Sequence, residues 1–304
     1  MSASSSVQPL VTIGIPVYNS ERYLAQSIES LLAQTYNNFV MVISDNASTD
    51  GTADICHRFV KQDSRVRYHR NPANIGMTGN FNRVFELCNT KYLKWSTADD
   101  FWASDMLADA LAIMEADPGI AVCYPKVVIV DADGREQSLY EDELHLMQDD
   151  PVERFLGVIN NIKLVNHHLG LLRTDCIRRT LLFGKHVAAD TGFVAELSLY
   201  GKFFQMNKHQ FFRRFHADSS SWKRGNREQE ARRFHAANVR RLPFNIWRYN
   251  WTFVRSILRS PLGSTDRLKL LRRVGKAVYW DRSILTHELL QDLPSLLSPT
   301  TKEK

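Results

Sequence analysis

The run Tyr92-Leu93-Lys94-Trp95-Ser96-Thr97-Ala98-Asp99-Asp100 tells most about how this chain folds, because a short apolar strand leads directly into two adjacent acids. Two earlier strand patterns end in the same way. Asp45-Asn46 follows the apolar residues 39–43, and Tyr18-Asn19 follows the alternating pattern of residues 11–17. The carboxyl ends of parallel strands line one crevice of an open α/β sheet, and ligands bind there. The three polar clusters therefore predict a nucleotide and metal site.

Strand and helix patterns alternate over roughly the first 120 residues. Four segments carry apolar residues at helical spacing, beginning near Leu24, Ile55, Phe81 and Leu107. Asn19-Ser20 and Ser104 are the expected caps of the first and the fourth helix. Such alternation predicts an α/β fold with a mostly parallel central sheet flanked by helices.

The alternation loosens in the second half of the chain. We expect strands at residues 121–130 and 169–172, and helices at residues 152–162 and 192–200 on either side of the second strand. Residues 136–150 are acidic and are expected to form a loop. From Arg232 onward the pattern becomes helical, basic and aromatic. Residues 231–282 hold thirteen Lys or Arg and two Asp, a local net charge of +11, so the remainder of a chain whose net charge is +6 carries about −5.

The composition of the 304 residues, 44% hydrophobic and 24% charged, is that of a globular protein. Four scattered cysteines without a C-x-x-C pair predict reduced thiols and a cytoplasmic setting. The Ser-rich start lacks the pattern of a signal peptide, and no apolar run reaches the ~18 residues that a membrane span needs. The sequence also lacks the P-loop, dinucleotide-binding, zinc-protease and serine-hydrolase motifs.

Four groups of residues could carry chemistry, and each also has a structural interpretation. Asp99 and Asp100 offer oxygen ligands for Mg²⁺ or Mn²⁺, or simply a turn at a strand end. Asp45 and Asn46 could bond a nucleobase edge, or form an Asx turn before a helix. Asp190 could act as a general base, or cap the helix that follows it.

The fourth group is His216 with the arginines before it. Imidazole can join a carboxylate-held metal and arginine can bind phosphate, although a histidine in a loop is more often a satisfied polar residue. His167-His168 is a weaker candidate of the same kind.

Residues 10–220 resemble the family 2 glycosyltransferases with the GT-A fold. The resemblance rests on six ordered segments: Ile15–Asn19, Leu31–Tyr36, Asp45–Thr52, Asn74–Arg83, Ala98–Asp100, and Asp190–Phe203 with Arg214–Ser221. Thr97 and Asn46 stand where many members of that family carry an acid.

The resemblance implies an inverting enzyme that moves a sugar from a nucleoside diphosphate sugar, with UDP expected as the carrier. Asp190 is implied as the catalytic base, and Asp100, Asp99 and His216 as ligands of Mn²⁺ or Mg²⁺. The implied donor-binding residues are Pro16, Tyr18, Asn19, Asp45, Asn46, Asn82, Asp99 and Arg214. The acceptor would be a hydroxyl of a saccharide or a lipid-linked saccharide, in the synthesis of cell-surface polysaccharide or glycolipid. A catalytically silent nucleotide-sugar-binding protein or membrane scaffold is the alternative.

We expect a catalytic domain over residues 1–221 and a basic, aromatic helical extension over residues 222–304. In the extension, one helical face collects Phe244, Trp247, Trp251, Val254 and Leu258. This helix could rest on an anionic membrane, which predicts a peripheral position at the inner face of the membrane, or it could dock on the catalytic domain. Both alternatives stay open, whereas nucleic acid is disfavoured because it would leave the ordered motifs unexplained.

Overall fold

The structure, a computed structural model, describes residues 8–141, 144–216 and 243–297. Across these residues the strands form one nine-stranded sheet with helices on its faces, which confirms the predicted α/β class and the helical extension. The predicted domain boundary between residues 221 and 222 lies outside the described residues, as does Ala217–Ser221 of the last resembling segment.

The first half of the chain builds a parallel sheet in the order β3-β2-β1-β4. Every residue of β2 is buried, as expected for a strand that is covered on both faces. This part matches the sequence prediction in type and order. Its elements are β1 (Val11–Val17), α1 (Leu24–Leu32), β2 (Phe39–Asp45), α2 (Thr52–Gln62), β3 (Val66–Arg70), α3 (Met77–Glu86) and β4 (Tyr92–Trp95).

The second half continues the sheet from β4 with mixed pairing. Its elements are β5 (Phe101–Trp102), α4 (Met106–Ala116), β6 (Ile120–Val130), β7 (Glu136–Tyr140), α5 (Pro151–Asn161), a 3₁₀ turn (His167–Leu169), β8 (Leu171–Arg173), α6 (Thr174–Arg178), α7 (Ala189–Ser198) and β9 (Lys202–Arg214). The strand β8 runs antiparallel to β4 and β6, β9 runs parallel to β6, and β5 and β7 pair antiparallel with β9 and β6. Parallel pairing therefore dominates only the first four strands.

The acidic segment 136–150 was expected to be a loop, and this expectation is wrong. Its first five residues form β7, whose polar side chains are exposed because the strand lies at the edge of β6. The long strand β9 was not predicted at all. Its buried residues do not alternate, and its register with β6 shifts at several points, so the period-two signal of a strand is lost.

The predicted caps of two helices are also wrong. The helix α1 begins at Leu24, because Ser20 uses its hydroxyl to bond the carbonyl of Tyr18 rather than a helix end. The helix α4 begins at Met106, and its capping position is Asp105, one residue after Ser104. His167 and His168 lie in the 3₁₀ turn, not in a strand, and both are buried.

The C-terminal helices are α8 (Asn245–Arg259), α9 (Ser264–Trp280) and α10 (Arg282–Leu297). The helix α8 packs against α7 and buries Phe253 and Ile257, with Phe253 edge-on to Phe155 of α5. The predicted aromatic stripe faces away from this contact: Trp247, Trp251 and Leu258 remain exposed. The helix thus docks on the rest of the protein, but through a different face. Among the described helices, none combines the length and the apolar character that crossing a membrane requires.

Candidate active site

A pocket opens where the parallel half of the sheet meets the mixed half. It is lined by residues from α3, the β4–β5 loop, the 3₁₀ turn, α7 and the end of β9, including Asp99, Asp100, Asp190, Arg213 and Arg214. The cavity measures about 150 Å³, whereas sites that enclose a whole ligand usually measure about 300–1,000 Å³. Three acids named from the sequence share this pocket.

Asp100 is buried, with 5% of its surface exposed, and it accepts hydrogen bonds from neutral groups. One carboxylate oxygen bonds the backbone N–H of Arg214 at 2.8 Å, and the other bonds the hydroxyl of Thr97. Burial raises the pKa of Asp100, and the positive charge of Arg213 opposes this shift. A buried carboxylate with neutral partners is favourable for ligand binding, because a cation or a hydrogen-bond donor would relieve its desolvation.

Asp99 is more accessible, since 40% of its side chain is exposed. Its Oδ2 atom lies 3.4 Å from Nε2 of His216, so the β4–β5 loop and the end of β9 meet at this point. A carboxylate and an imidazole this close, with phosphate oxygens completing the shell, fit Mn²⁺ or Mg²⁺. Within the described ranges, no cluster of three or more His, Cys, Asp or Glu forms a site made of protein ligands alone.

The two arginines at the end of β9 have different surroundings. The guanidinium of Arg214 is committed to protein acceptors: the carbonyls of Asp99, Asp131 and Ala132, and the side chain of Gln26. It holds the acid-bearing loop in place. Arg213 instead bonds the side chain of Asn166 and lies close enough to Asp100 to lower its pKa. Arg213 is therefore the better placed cation for a phosphate group, although the sequence resemblance had favoured Arg214.

Asp190 lies in the first turn of α7, and its Oδ1 accepts the N–H of Thr191 at 2.8 Å. The positive end of the helix dipole favours a negative charge at this position. Ala188, the residue before the helix, has a left-handed backbone with φ of 60°. Such strain costs an alanine about 1–2 kcal/mol and persists only where neighbouring contacts enforce it.

Those contacts come from the C-terminal helix α8. Asn245 accepts the backbone N–H of Val187 at 2.8 Å, and Thr252 bonds His186 at 2.9 Å. Gly192 allows the close approach, because a Cβ there would lie 3.0 Å from the methyl group of Thr252. Burial and the negative charge of Asp190 together raise the pKa of Tyr249 to about 12, which shows that α8 also borders the acid. The C-terminal extension is thus a structural support of the pocket.

A second layer of buried charge lies behind the acids. Lys94 is fully buried, donates to the carbonyl of Leu169 at 3.0 Å and sits 3.0 Å above the ring of Trp102. Burial holds its pKa well below the usual range. Burial, with Arg213 and other nearby cations, also lowers the pKa of His168 to about 3, so this pocket-lining imidazole is neutral at physiological pH. Sequence reasoning missed Lys94, whose apolar neighbours made it look like an ordinary strand residue.

Asp45 ends β2 but does not line the pocket among the described residues. It is fully buried, and its Oδ2 accepts bonds of 2.6 Å from both Tyr68 and Arg70. Its Oδ1 bonds the N–H of Ser48 at 2.8 Å, which is the Asx-type turn expected as the structural alternative. Asp45 therefore joins β2 to β3, and its donor-binding role stays a prediction.

Asn46 is similarly occupied. Its amide bonds Asn74, Gly76 and Asn71, and its oxygen also accepts the N–H of Ile75. These bonds shape the loop that leads into α3, which supplies part of the pocket wall. The residue after it, Ala47, has a left-handed φ of 63°.

Three predicted donor-binding residues lie at the end of β1. Tyr18 and Asn19 are exposed, and Pro16 is half-buried. Asn19 accepts the N–H of Thr49 at 2.8 Å, so the loops after β1 and β2 are tied together. Tyr18, with 43% exposed, offers a ring surface on which a nucleobase could stack. Asn82 lies elsewhere: its amide pairs with both the N–H and the carbonyl of Phe183, which lines the pocket.

The sequence profile of glycosyl transferase family 2 matches residues 12–177, more than half of the chain. The chain belongs to glycosyl transferase family 2. The Escherichia coli protein WfaP, a UDP-Glc:alpha-D-GlcNAc-diphosphoundecaprenol beta-1,3-glucosyltransferase, is 32% identical over 108 residues, which are 36% of this chain and 42% of that protein. The chain spans about two-fifths of the length of such curated relatives.

Solved structures of the GT-A type share the fold. TarS of S. aureus in complex with UDP-GlcNAc matches with a TM-score of 0.66 and 17% identity over 88% of this chain and 72% of that chain. The mannosyltransferase PcManGT from Pyrobaculum calidifontis, in complex with GDP-Man and Mn²⁺, matches with a TM-score of 0.52 and 16% identity over 98% and 89% of the two chains.

In this family 2 member the pocket unites Asp99, Asp100, Asp190 and Arg214, with His216 beside Asp99. It leaves Pro16, Tyr18, Asn19, Asp45, Asn46 and Asn82 outside its lining. Thr97, His168 and the arginines before His216 were singled out from the sequence, but the sequence did not show that they share one pocket. Alternation along β9 would have separated Arg213 from Arg214 had that strand been recognised.

Proposed function

We propose that this protein is an inverting glycosyltransferase that moves a sugar from a nucleoside diphosphate sugar, with UDP as the expected carrier, to a hydroxyl of a saccharide or lipid-linked saccharide. The observation that carries the proposal is that Asp99, Asp100 and Asp190 line one pocket together with Arg213. Family membership supports sugar transfer, and the similarity to WfaP, a glucosyltransferase that acts on a diphosphoundecaprenol-linked sugar, supports a lipid-linked acceptor in surface polysaccharide synthesis.

The proposed reaction is a single displacement. The acceptor oxygen forms a bond to the anomeric carbon while the bond from that carbon to the diphosphate breaks, and the configuration inverts. Asp190 accepts the hydroxyl proton as the new bond forms, a role that typically accelerates a reaction 10²–10⁴-fold. The contacts of α8 with His186 and Val187 hold the helix start that presents this carboxylate.

Charge develops on the departing diphosphate, and Arg213 is the side chain placed to meet it. Its planar guanidinium can bond two phosphate oxygens at once. Asp99 and His216 would hold Mn²⁺ or Mg²⁺, with Asp100 adjacent. When bound, such an ion supplies Lewis-acid stabilisation of the leaving group. Arg214 keeps the loop of Asp99 and Asp100 against the end of β9 by bonding the carbonyl of Asp99 at 2.9 Å.

The test measures release of the nucleoside diphosphate from a panel of UDP- and GDP-sugars, with Mn²⁺ and then with EDTA. Asp190→Asn should lower turnover 10²–10⁴-fold while leaving the donor-induced rise in melting temperature intact. The matched control is Asp175→Asn, since Asp175 is an exposed acid of α6 whose side chain is 81% accessible. Full turnover by Asp190→Asn would contradict the assigned base.

The alternative is a protein that binds nucleotide sugars without turnover. Thr97, which stands where many family members carry an acid, favours it, as do the basic C-terminal helices. A donor that raises the melting temperature of the wild-type protein and is never cleaved, with or without saccharide acceptors, would support this alternative. Cleavage that EDTA abolishes would exclude it.

A further inference from the structure

Exposed apolar side chains are concentrated at one end of the molecule. Among the described side chains, ten of the fourteen large hydrophobic residues that are exposed belong to α8, α9 and α10. Scattered exposed apolar residues are normal on a protein surface, whereas a concentrated group marks an interaction surface. The outer apolar face, as we name it, consists of Trp247, Trp251, Tyr279, Trp280, Leu289, Leu290 and Leu293.

These residues come from three helices that meet at one point. Trp247 of α8, Tyr279 of α9 and Thr286 of α10 line the same surface depression. Trp251 lies one turn from Trp247 on α8. On α10, Leu289 lies three residues after Thr286, and Leu293 lies four residues after Leu289. Both leucines therefore continue the same side of the helix. The three helices therefore each contribute to the outer apolar face, and they meet at the depression that Trp247 and Tyr279 line.

The helix α10 turns its acids and Leu285 inward, and Leu289, Leu290 and Leu293 outward. Glu288 and Asp292 are buried, and they accept the backbone N–H groups of Ile246 and Phe244 at 3.0 Å and 2.6 Å. These carboxylates satisfy donors at the start of α8 that lack partners within that helix. In contrast, Leu290 is 69% exposed. Packing among the described residues therefore leaves this leucine on the outside.

Positive charge is concentrated on the same three helices as the outer apolar face. Eight exposed Lys or Arg residues lie on α8, α9 and the start of α10, together with two exposed acids, Asp266 and Asp281. The eight cations are Arg248, Arg255, Arg259, Lys269, Arg272, Arg273, Lys276 and Arg282. None of the eight forms an ion pair with a carboxylate among the described residues. Exposed aromatics flanked by unpaired cations match the headgroup region of an anionic bilayer, where rings settle at the interface and cations meet lipid phosphates.

We propose that the outer apolar face docks on an anionic phospholipid membrane. The inference goes beyond the proposed reaction, because it concerns lipid binding and needs no catalysis. Docking would also bring the pocket toward the bilayer, since α8 carries Trp247 and Trp251 and contacts the residues before Asp190. A lipid-linked acceptor could then reach the pocket without leaving the membrane.

The experiment is vesicle flotation of the full chain. Vesicles contain phosphatidylcholine alone or phosphatidylcholine with phosphatidylglycerol. We expect flotation with the anionic vesicles and a loss when salt rises from about 0.1 M to about 1 M, because the Debye length falls from ~10 Å to ~3 Å. Equal binding to the two kinds of vesicle, or no binding to either, would overturn the proposal.

Two variants locate the surface. Trp251→Ser/Trp280→Ser/Leu290→Ser removes apolar area, and Arg272→Gln/Lys276→Gln removes charge without touching packed residues. Each cation near an anionic surface contributes roughly fivefold to partitioning, so the second variant should bind roughly 10- to 30-fold more weakly. The matched controls are Leu139→Ser on β7, where Leu139 is 64% exposed, and Arg58→Gln on α2. They should float like the wild type.

Two further outcomes decide against the proposal. If both face variants float as well as the wild type, the surface lies elsewhere. If gel filtration shows a dimer that the triple variant converts to a monomer, and vesicles capture neither form, the face is an interface between copies of the chain. Lipid binding is read without turnover, so failure here leaves the proposed sugar transfer intact.

Discussion

Asp45 and Asp100 end up in opposite situations although both are buried acids that follow strands of the parallel half. Asp45 is paired with the cation Arg70 and with Tyr68, and it lies outside the pocket lining. Asp100 accepts hydrogen bonds from the hydroxyl of Thr97 and the backbone N–H of Arg214, and it lines the pocket. The sequence signal, an acid at a strand end, is the same in both. The partner supplied by the fold decides which acid is left for a ligand.

The largest effect expected from this comparison is on turnover. Asp100→Asn should lower donor cleavage about 10²–10³-fold, because it removes a carboxylate proposed to lie beside the metal ion that stabilises the departing diphosphate. The same change should leave stability at neutral pH unchanged or higher, since burial raises the pKa of Asp100 and so disfavours its charged form. Cleavage assays and urea denaturation on one preparation measure both effects. A variant that loses both activity and stability would make Asp100 another structural acid.

The reverse result is expected for Asp45. Asp45→Asn leaves Arg70 and Tyr68 facing an amide, and should lower the free energy of unfolding by about 3 kcal/mol. This figure is at the low end for a broken buried ion pair because Arg70 is half-exposed and solvent screens its charge. Turnover per folded molecule should stay within a few-fold of the wild-type value. The control is Glu86→Gln, which breaks the exposed pair with Arg83 and should cost less than about 1 kcal/mol. Loss of donor binding at unchanged stability would instead place Asp45 in the donor site.

Glu196 of α7 provides a third buried acid, here at the contact with α8. Burial raises the pKa of Glu196 to about 7 from 4.5. The folded state therefore holds a proton that the unfolded state has lost, and the stability that this acid contributes at low pH disappears as pH rises from about 4.5 through about 7. Glu196→Gln should gain roughly 2 kcal/mol relative to the wild type between pH 5 and pH 8. Urea denaturation at several pH values measures it.

The control for Glu196 is Glu153→Gln in the first turn of α5, where no comparable gain is expected. A constant difference between wild type and Glu196→Gln across this pH range would show that the acid is solvated.

The smallest effect concerns the backbone next to Asn46. Ala47 holds a φ of 63°, a region that costs alanine about 1–2 kcal/mol and costs glycine little. Ala47→Gly should therefore stabilise the folded state by up to about 1 kcal/mol, which would be measured as a slightly higher melting temperature. The gain is smaller than the cost of the strain because glycine has more conformational freedom than alanine in the unfolded chain. Ala53→Gly, inside the helix α2, should have the opposite sign. A destabilised Ala47→Gly would mean that this methyl group packs usefully.

Sequence reasoning succeeded where local pattern and fold agree. The strands that precede Asp45 and Asp100 alternate with amphipathic helices, so their order and the shared edge followed from periodicity. The helix expected over residues 192–200 is also present, although α7 begins earlier, at Ala189, and Asp190 lies in its first turn rather than at its cap. Periodicity failed for β9, whose bulges hide its pairing, and hence for the orientation of Arg213.

Other features depend on contacts between distant segments, which no local pattern records. Arg70 lies twenty-five residues from Asp45, and Asn245 lies fifty-eight from Val187. The same holds for the aromatic stripe of α8. The spacing of Trp247 and Trp251 was read correctly, but the buried face belongs to Phe253 and Ile257, because a second apolar stripe matches α5 and α7.

The bonds from α8 to His186 and Val187 have a practical consequence for protein engineering. A chimera that joins this sugar-binding half to the C-terminal helices of another protein would have to carry Asn245 and Thr252 across the junction. Without them, the peptide before Asp190 would relax from its left-handed turn. The graft could then bind donor normally and still turn over slowly, with the fault located far from the site where the two sequences were spliced.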